Sequence, residues 1–218
     1  IRLMSIESNL NTVLSSLPKK VTLVAVSKTK TNSVILEAYH AGYKIFGENK
    51  VQELVKKHED LPKDILWHMI GHLQTNKVKY IAPFVNLIHG TDSEKLLKEI
   101  NKRAKQNSRI INCLLQVHIA EESTKFGFSS SEINDIMQRS SEFENVNIIG
   151  LMGMATFTNN RERIINEFSQ INTIFQKIKT SQINILSIGM SSDYLIAVEN
   201  GSNMVRIGSA IFGSRRTS

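Results

Sequence analysis

Lys28 is the first residue whose type and position could support chemistry. It follows Ser27 and residues 21–26, which are all apolar except Thr22. A short apolar run of this kind is typical of a strand buried on both faces inside a parallel sheet. Ligands of α/β proteins bind at the carboxyl ends of such strands, so the pattern places the Lys28 amine at a candidate site. The alternative is a lysine whose ammonium group extends into water.

Two later segments rich in serine and glycine could bind an anion. They are residues 187–193, with the sequence SIGMSSD, and residues 206–210, with the sequence RIGSA. Glycine allows a close approach of the backbone to a ligand, and serine adds a hydroxyl donor. Barrel enzymes often bind phosphate on the loops after the seventh and eighth strands. Each loop could equally be a turn followed by a helix cap, so only the two together favour an anion site.

Arg206 is a permanent cation between the apolar residues Val205 and Ile207. A charge that points inward there needs a partner, and the alternative is a side chain that reaches the solvent. A lysine, an anion-binding rim and an arginine at one mouth together suit pyridoxal 5'-phosphate (PLP). The lysine would form a Schiff base with the aldehyde, the loops would bind the phosphate, and the arginine would meet the ring nitrogen. Burial of the lysine would favour the reactive, unprotonated amine.

The hydrophobic pattern predicts the elements that position these residues. It indicates an amphipathic helix at about residues 1–17, followed by eight strands that alternate with helices. The predicted strands are residues 21–26, 43–47, 65–70, 85–89, 110–119, 146–152, 183–188 and 204–207. Because no linker interrupts the alternation, we predict one α/β domain over residues 1–218, a (β/α)8 TIM barrel. An open doubly wound sheet is the alternative, but the sequence lacks its glycine fingerprint.

Several other residues have structural interpretations. Asn49, with Gln52 three residues later, fits a capping box, so we interpret Asn49 as a helix cap that would also lie at the barrel mouth. His68 and His72 are four residues apart, but a metal site at this spacing needs a helix and further ligands. We interpret both as core or rim histidines and predict no metal site. Cys113 lies in an apolar run and is predicted to be a core residue.

The composition is that of an ordinary soluble domain. Its 218 residues are 41% hydrophobic and 22% charged, which excludes disordered and fibrous classes. The net charge of +7 would fit anionic partners, but the basic residues are scattered and no aromatic residues interleave with them. We therefore predict no nucleic-acid binding, with a salt-resistant gel shift as the test of that alternative. With no bilayer-length apolar run and no signal-peptide pattern, we expect a cytoplasmic protein that does not bind membranes.

The sequence also resembles a known family over nearly its whole length. The matching segments are VAVSK at 24–28, FGENKVQE at 46–53, WHMIGHLQTNK at 67–77, GLM at 150–152, GMS at 189–191 and VRIGSAIFG at 205–213. In this order they resemble the PLP-binding homeostasis proteins, which are single-domain relatives of the alanine racemase N-terminal barrel, fold type III among PLP proteins. The loop at residues 120–127 keeps only part of the family pattern, so no role is assigned to it.

The resemblance implies a set of cofactor-binding residues. Lys28 would carry the covalent aldimine, and Arg206 would meet the ring nitrogen. The full set is Lys28, Asn49, Ser187, Met190, Ser191, Arg206, Gly208 and Ser209. In this set Ser191, Gly208 and Ser209 would bind the phosphate, whereas Ser187 and Met190 are less certain and Asn49 would line the cofactor. Many family members have threonine in place of Ser209, which preserves the hydroxyl.

The family resemblance implies a carrier of PLP and not an enzyme. An arginine at the ring nitrogen keeps that nitrogen unprotonated, which weakens the ring as an electron sink. Racemisation also needs a second base on the opposite face of the substrate carbon, and we expect no second domain to supply it. We therefore predict a monomer, without catalytic residues, that stores or delivers PLP to PLP-dependent apoenzymes and maintains vitamin B6 and amino-acid/keto-acid homeostasis. The alternative is an amino-acid racemase-like PLP enzyme.

Overall fold

A computed structural model of the chain describes residues 5–119 and 126–213. Within these residues eight strands form a closed barrel in the order β1 to β8. Neighbouring strands are parallel, and β8 closes the barrel by pairing with β1. The predicted (β/α)8 TIM barrel is therefore confirmed, and an open sheet is excluded. All carboxyl ends of the strands lie at one mouth, because the strands are parallel.

The strands lie within or close to the predicted apolar segments. They are β1 (Thr22–Val26), β2 (Ile45–Glu48), β3 (Leu66–Met69), β4 (Leu87–Thr91), β5 (Ile111–Gln116), β6 (Val146–Met152), β7 (Ile185–Met190) and β8 (Met204–Ile207). The largest difference is at β5, which was predicted to reach residue 119. It ends at Gln116, and although the Val117 N–H still donates to the Met152 carbonyl of β6 at 2.8 Å, Val117 and His118 then pair with Phe128.

Helices follow the strands on the outside of the barrel. They are α1 (Ile6–Ser16), α2 (Asn32–His40), α3 (Val51–Asp60), α4 (Val78–Ile81), α5 (Glu94–Gln106), α6 (Ser130–Gln138), α7 (Arg161–Ile178), α8 (Tyr194–Glu199) and α9 (Ser209–Phe212), with 3-10 turns at Thr75–Lys77 and Ser140–Glu142. In the described part of the chain no helix is both long enough and apolar enough to span a bilayer.

The N-terminal helix α1 packs against the end of the chain. It lies inside the helix predicted at about residues 1–17, of which residues 1–4 are outside the described ranges. Ser5 caps it by accepting a hydrogen bond from the Ser8 N–H at 3.1 Å. The Asn9 side chain donates to the Ile211 carbonyl in α9 at 3.0 Å. This contact connects α1 to the turn that follows β8.

The barrel interior contains an apolar cluster and a group of polar side chains. The buried members of the cluster are Val24, Leu87, Leu114, Met152 and Met204. Side chains two residues apart on a strand share a face. His89 and Arg206, which follow Leu87 and Met204 by two positions, therefore point into the barrel as well. Both are almost completely buried. The interior below the mouth must therefore provide hydrogen-bond acceptors for the buried cation of Arg206.

Candidate functional site

Lys28 lies just beyond the carboxyl end of β1 and is half-buried. The preceding residue, Ser27, is completely buried, and its N–H donates to the Gly47 carbonyl at 3.0 Å. The following residue, Thr29, has a φ of 65°, in the left-handed region. That conformation costs a non-glycine residue roughly 1–2 kcal/mol. The backbone on both sides of Lys28 is thus held in a defined and partly strained path.

The end of β8 is in contact with the end of β1. The two strands pair with Val24 opposite Arg206, so Lys28 and Gly208 follow adjacent strands at the same mouth. A Cβ added at Gly208 would lie 3.0 Å from the Val26 carbonyl oxygen, because the two backbones approach closely. The structure therefore brings the lysine-bearing and the glycine-serine segments together.

The loops after β7 and β8 also meet each other. The Gly208 N–H donates to Ser191 Oγ at 3.2 Å. The Met190 N–H donates to Asp193 Oδ1 at 2.5 Å, which closes the β7 loop. Gly189 turns this loop with a φ of +97°, and a Cβ there would lie 2.5 Å from the Ala197 side chain. Burial raises the pKa of Asp193, although its bond from the Met190 N–H works in the opposite direction.

α9 begins directly after this contact, at Ser209. The Ile211 N–H donates to the Gly208 carbonyl at 3.0 Å, whereas the N–H groups of Ser209 and Ala210 have no backbone acceptor among the described residues. Such N–H groups at the start of a helix can bind an anion. Ser191, Gly208 and Ser209, the three predicted phosphate ligands, thus lie on one rim, and Met190 adjoins them. Met190 and Asp193 also line a cavity of about 200 Å³ beside this rim.

Arg206 points inward and is 3% exposed, so the alternative of a solvent-exposed side chain is excluded. Its Nη1 donates to the Ser187 carbonyl at 2.8 Å and to Ser187 Oγ at 2.7 Å, and its Nη2 donates to the Gly153 carbonyl at 3.0 Å. Burial lowers the pKa of Arg206 to about 10, with Asp193 opposing the shift. Arg206 is therefore cationic at neutral pH, and two of the five guanidinium N–H groups have no partner among the described residues.

Two buried histidines are connected to Arg206 through the Ser187 hydroxyl. Ser187 Oγ lies 3.1 Å from His89 Nδ1, and His89 Nε2 lies 3.1 Å from His68 Nδ1. We refer to Arg206, Ser187, His89 and His68 as the inner network. Burial lowers the pKa of His68 to about 4 and the pKa of His89 well below its ordinary value. Both imidazoles are therefore neutral at physiological pH.

One set of directions satisfies the hydrogen bonds of the inner network. A guanidinium only donates, so Ser187 Oγ accepts from Arg206, and we assign its own proton to the bond with His89 Nδ1. In this assignment His89 carries its proton on Nε2 and donates to His68 Nδ1. The interpretation of His68 as a core histidine is confirmed, and Ser187 lies inside this network and not on the β7 loop.

Asn49 follows β2 but does not cap α3. Lys50 is the N-cap residue, without a side-chain cap bond, and the helix begins at Val51. The predicted capping box is therefore wrong, because the helix begins one residue later than the motif requires. Half-buried Asn49 instead packs against the loop after β3, where a Cβ added at Gly71 would lie 2.5 Å from the Asn49 carbonyl oxygen.

His72 and Cys113 lie at the rim and in the core, as the sequence analysis predicted. His72 is a rim histidine whose Nδ1 lies 2.8 Å from Asp92 Oδ2, and its ring stacks on Phe126. Cys113 is buried as a free thiol, and burial raises its pKa to about 12. In the described ranges no group of three or more histidine, cysteine, aspartate or glutamate side chains is placed to hold a metal ion. Residues 120–125 of the unassigned loop lie outside those ranges.

The residues at the mouth fit PLP. The cofactor presents an aldehyde, a phosphate and a ring nitrogen. The Lys28 amine, the rim at Ser191, Gly208 and Ser209, and the uncommitted N–H groups of Arg206 are complementary to these three groups. An arginine donates to an unprotonated ring nitrogen and does not protonate it.

Comparison with known proteins assigns the family. The family model described as alanine racemase, N-terminal domain, matches residues 1–216. A pyridoxal phosphate homeostasis protein from Aquifex aeolicus is 39% identical over 199 residues, which cover 89% of this chain and 87% of that protein. The chain belongs to the pyridoxal phosphate homeostasis protein family. The resemblance predicted from the sequence is thus confirmed.

Solved structures agree with this family assignment. PipY of Synechococcus elongatus has 33% sequence identity, and the match covers 95% of this chain and 100% of the PipY chain. Its TM-score is 0.89 for the structure without PLP and 0.87 for the structure with PLP bound. An alanine racemase from Bartonella henselae shares 14% identity over 98% of this chain and 61% of its own, with a TM-score of 0.72. The racemase likeness shows the shared fold alone.

One buried cluster beside Lys28 was missed by the sequence analysis. Lys57 on α3 is 4% exposed, and its Nζ lies 2.7 Å from Glu48 Oε1 and 2.7 Å from Glu53 Oε1. We refer to Ser27, Glu48, Glu53 and Lys57 as the α3 clamp. A signal was available: Lys57 continues the buried stripe of Val51 and Leu54 at helical spacing. A lysine on that stripe predicts a buried counter-ion.

Proposed function

We propose that this homeostasis-family chain binds PLP covalently through the Lys28 amine. We further propose that it stores or delivers the cofactor and so maintains vitamin B6 and amino-acid/keto-acid balance. The observation that carries the proposal is the pairing of β1 with β8, which sets Lys28 beside the rim that contains Gly208. The family name of the relatives and the PLP bound in the PipY structure support it.

Each group at the mouth has a separate task in this proposal. Lys28 supplies the amine for the aldehyde, and Ser191, Gly208 and Ser209 bind the phosphate through hydroxyl and backbone donors. Arg206 donates to the ring nitrogen, while its bonds to Ser187 and Gly153 keep the guanidinium in place. When bound, PLP would supply the carbonyl and the electron-withdrawing ring that its chemistry requires.

We propose that the protein is a carrier and not a catalyst. Arg206 remains cationic and cannot protonate the ring, which keeps the ring a weak electron sink. The inner-network histidines His68 and His89 are neutral and engaged with each other, so they are poor candidates for the second base that racemisation needs. We also propose a cytoplasmic monomer that passes PLP to PLP-dependent apoenzymes.

Borohydride trapping tests the covalent site. We expect wild-type protein incubated with PLP to absorb near the violet, and borohydride followed by peptide mass spectrometry to locate the reduced cofactor on Lys28. Lys28→Ala should lose this adduct completely. Lys56→Ala, which removes an exposed lysine of α3, is the matched control and should keep it. An unchanged adduct in Lys28→Ala would refute the assignment.

Turnover and transfer assays separate a carrier from an enzyme. Loaded protein mixed with a panel of L-amino acids should produce no D-amino acid and no keto acid at a catalytic rate. The same protein mixed with a PLP-dependent apoenzyme should restore that enzyme's activity. Multiple turnovers of an amino acid per molecule would overturn the carrier role and favour the racemase-like alternative.

A further inference from the structure

The α3 clamp joins the segment around Lys28 to a helix outside the barrel. The Lys57 side chain is 5% exposed and that of Glu48 is 0% exposed, so both charges of this ion pair are removed from water. Buried ion pairs contribute little net stability, because desolvation offsets their attraction. A buried pair at this place therefore calls for an explanation other than stability.

The clamp contacts the residues on both sides of Lys28. On one side, Lys57 Nζ donates to the Ser27 carbonyl at 2.8 Å, and the Ser27 hydroxyl donates to Glu48 Oε1 at 2.6 Å. On the other side, the Thr29 N–H donates to Glu53 Oε1 at 2.6 Å. The two anchors share one ammonium group, because Lys57 bonds to Glu48 and Glu53 as well.

The donors of Lys57 are fully used by these contacts. An ammonium group has three N–H donors, and here they meet the Ser27 carbonyl, Glu48 Oε1 and Glu53 Oε1. The charge of Lys57 is therefore committed to the protein, and it is unsuited to contact a ligand. Its effect on the mouth must pass through the backbone that it holds.

The conformation of Thr29 indicates how the α3 clamp acts on the backbone beside Lys28. Thr29 has a φ of 65°, which a threonine adopts only when its surroundings enforce it. The bond from the Thr29 N–H to the Glu53 carboxylate is charge-assisted and offsets this strain. Thr29 lies in the turn that the Lys30 N–H closes by donating to the Ser27 carbonyl at 3.0 Å. The clamp therefore bonds both to the carbonyl that closes this turn and to an N–H inside it.

We propose that Lys57 is a positioning residue for Lys28. Together with Glu48 and Glu53 it fixes the backbone of Ser27 and Thr29, so that the Lys28 amine meets a ligand already held by the rim and by Arg206. The inference rests on the proposed function of Lys28 and deepens it, since it assigns the geometry of attachment to residues that do not touch the ligand.

The two steps of binding can be measured separately. Pyridoxine 5'-phosphate carries the phosphate and the ring nitrogen but has an alcohol where PLP has the aldehyde. It therefore reports on the rim and Arg206 without any bond to Lys28. The rate of the absorbance change with PLP, with the borohydride-fixed fraction on Lys28, reports on attachment.

Lys57→Met should separate these two measurements. We expect the rate of covalent attachment to fall at least about 10-fold, as a positional error at a reacting group does, and the affinity for pyridoxine 5'-phosphate to stay within about 2-fold. Lys57→Arg, which keeps a cation and its donors, should restore most of the rate. Lys56→Met, the exposed neighbour on α3, should resemble wild type.

A second variant keeps the test decisive if Lys57→Met does not fold. Lys57→Met with Glu48→Gln leaves no fully buried unpaired charge in the clamp, because the remaining carboxylate, Glu53, is 23% exposed. We expect the same loss of attachment rate from it. In both variants the Thr29 amide should exchange with deuterium faster than in wild type, in the absence of any ligand. An unchanged attachment rate, or an equal loss of pyridoxine 5'-phosphate affinity, would overturn the positioning role.

Failure of the proposed function would give a different result. Wild-type protein that is never fixed on Lys28 by borohydride would refute covalent binding itself. In that case the amide-exchange comparison still decides whether Lys57 holds the Thr29 backbone, and unchanged exchange in Lys57→Met refutes the clamp.

Discussion

The inner network and the α3 clamp both bury a cation near the barrel mouth, but they neutralise it in different ways. Arg206 in the inner network bonds to carbonyl and hydroxyl oxygens and forms no ion pair with a carboxylate of the described residues. Lys57 in the clamp bonds to two carboxylates and a carbonyl. Arg206 retains N–H groups for a ligand, whereas Lys57 retains none. In the function proposed above, the inner network would bind the ligand and the α3 clamp would position Lys28.

The largest predicted loss of stability comes from removing Lys57, the cation of the α3 clamp. Lys57→Met leaves Glu48 buried without its counter-ion, and such a loss costs about 3–5 kcal/mol of the free energy of unfolding. Adding Glu48→Gln removes the unpaired charge, so the double variant should recover most of that loss. Urea unfolding followed by circular dichroism measures both values. Equal losses in the single and double variants would show that the ion pair is not the cause.

Acid should weaken the inner network. The pKa of folded His68 is lowered to about 4 from an ordinary value of 6.5. Between these values the unfolded chain binds a proton that the folded chain does not, so stability falls as the pH falls through this window. The loss amounts to roughly 3 kcal/mol when it is complete, and His89 acts in the same direction.

His68→Gln is the variant that isolates this effect. Glutamine does not titrate, so the difference in unfolding free energy between wild type and variant should shrink as the pH is lowered from neutrality to about 4. Ser202→Ala provides the control: it changes a buried side chain outside the inner network that does not titrate, so its difference from wild type should stay constant over this pH range. A parallel pH course for wild type and His68→Gln would contradict a neutral, buried His68.

The clamp should show a smaller pH effect of opposite sign. Burial raises the pKa of Glu48, while Lys57 and Ser27 lower it, and Glu53 adds a repulsion that raises it. Between the ordinary pKa of 4.5 and the raised value, the folded chain binds the extra proton. Wild type should therefore gain stability relative to Glu48→Gln as the pH falls through this window. A relative loss over the same range, measured by urea unfolding, would show that Glu48 is instead stabilised as an anion.

The barrel could be predicted because each of its strands is an apolar run of the right length between turn signals. Such runs fix the order of the elements but not the side that each residue faces. Ile185, Ser187 and Ile188 belong to one run in β7, and nothing in their types shows that Ser187 faces the interior. A strand buried on both faces has no alternation to read. The inner network was therefore out of reach, although Arg206 itself was identified.

Local motifs failed where the backbone geometry decided the outcome. The capping box at Asn49 required a helix start that α3 makes one residue later, at Val51 with Lys50 as the cap. The clamp was missed for a different reason. Glu48 and Lys57 are far enough apart in sequence that only the packing of α3 on β2 and β3 brings their charges together.

The smallest expected effect concerns Ser187, which links Arg206 to the two histidines of the inner network. Ser187→Ala removes the hydroxyl that accepts from Arg206 and lies beside His89, at a cost of about 1 kcal/mol in unfolding free energy. Ser202 is a matched control, since it is also a buried serine, but its hydroxyl donates to the Ile188 carbonyl, outside the network, at 2.8 Å. Ser202→Ala should lose a similar amount.

Nitrogen-15 spectra of the imidazoles distinguish these two serines. In wild type we expect His89 to carry its proton on Nε2, because Nδ1 accepts from Ser187. Ser187→Ala should shift the His89 Nδ1 resonance and lower the affinity for pyridoxine 5'-phosphate a few-fold, since Arg206 loses one of its anchors, whereas Ser202→Ala should change neither. If His89 gives the same spectrum in all three proteins, the hydroxyl does not set its tautomer, and the ordered donation from Arg206 to His68 is refuted.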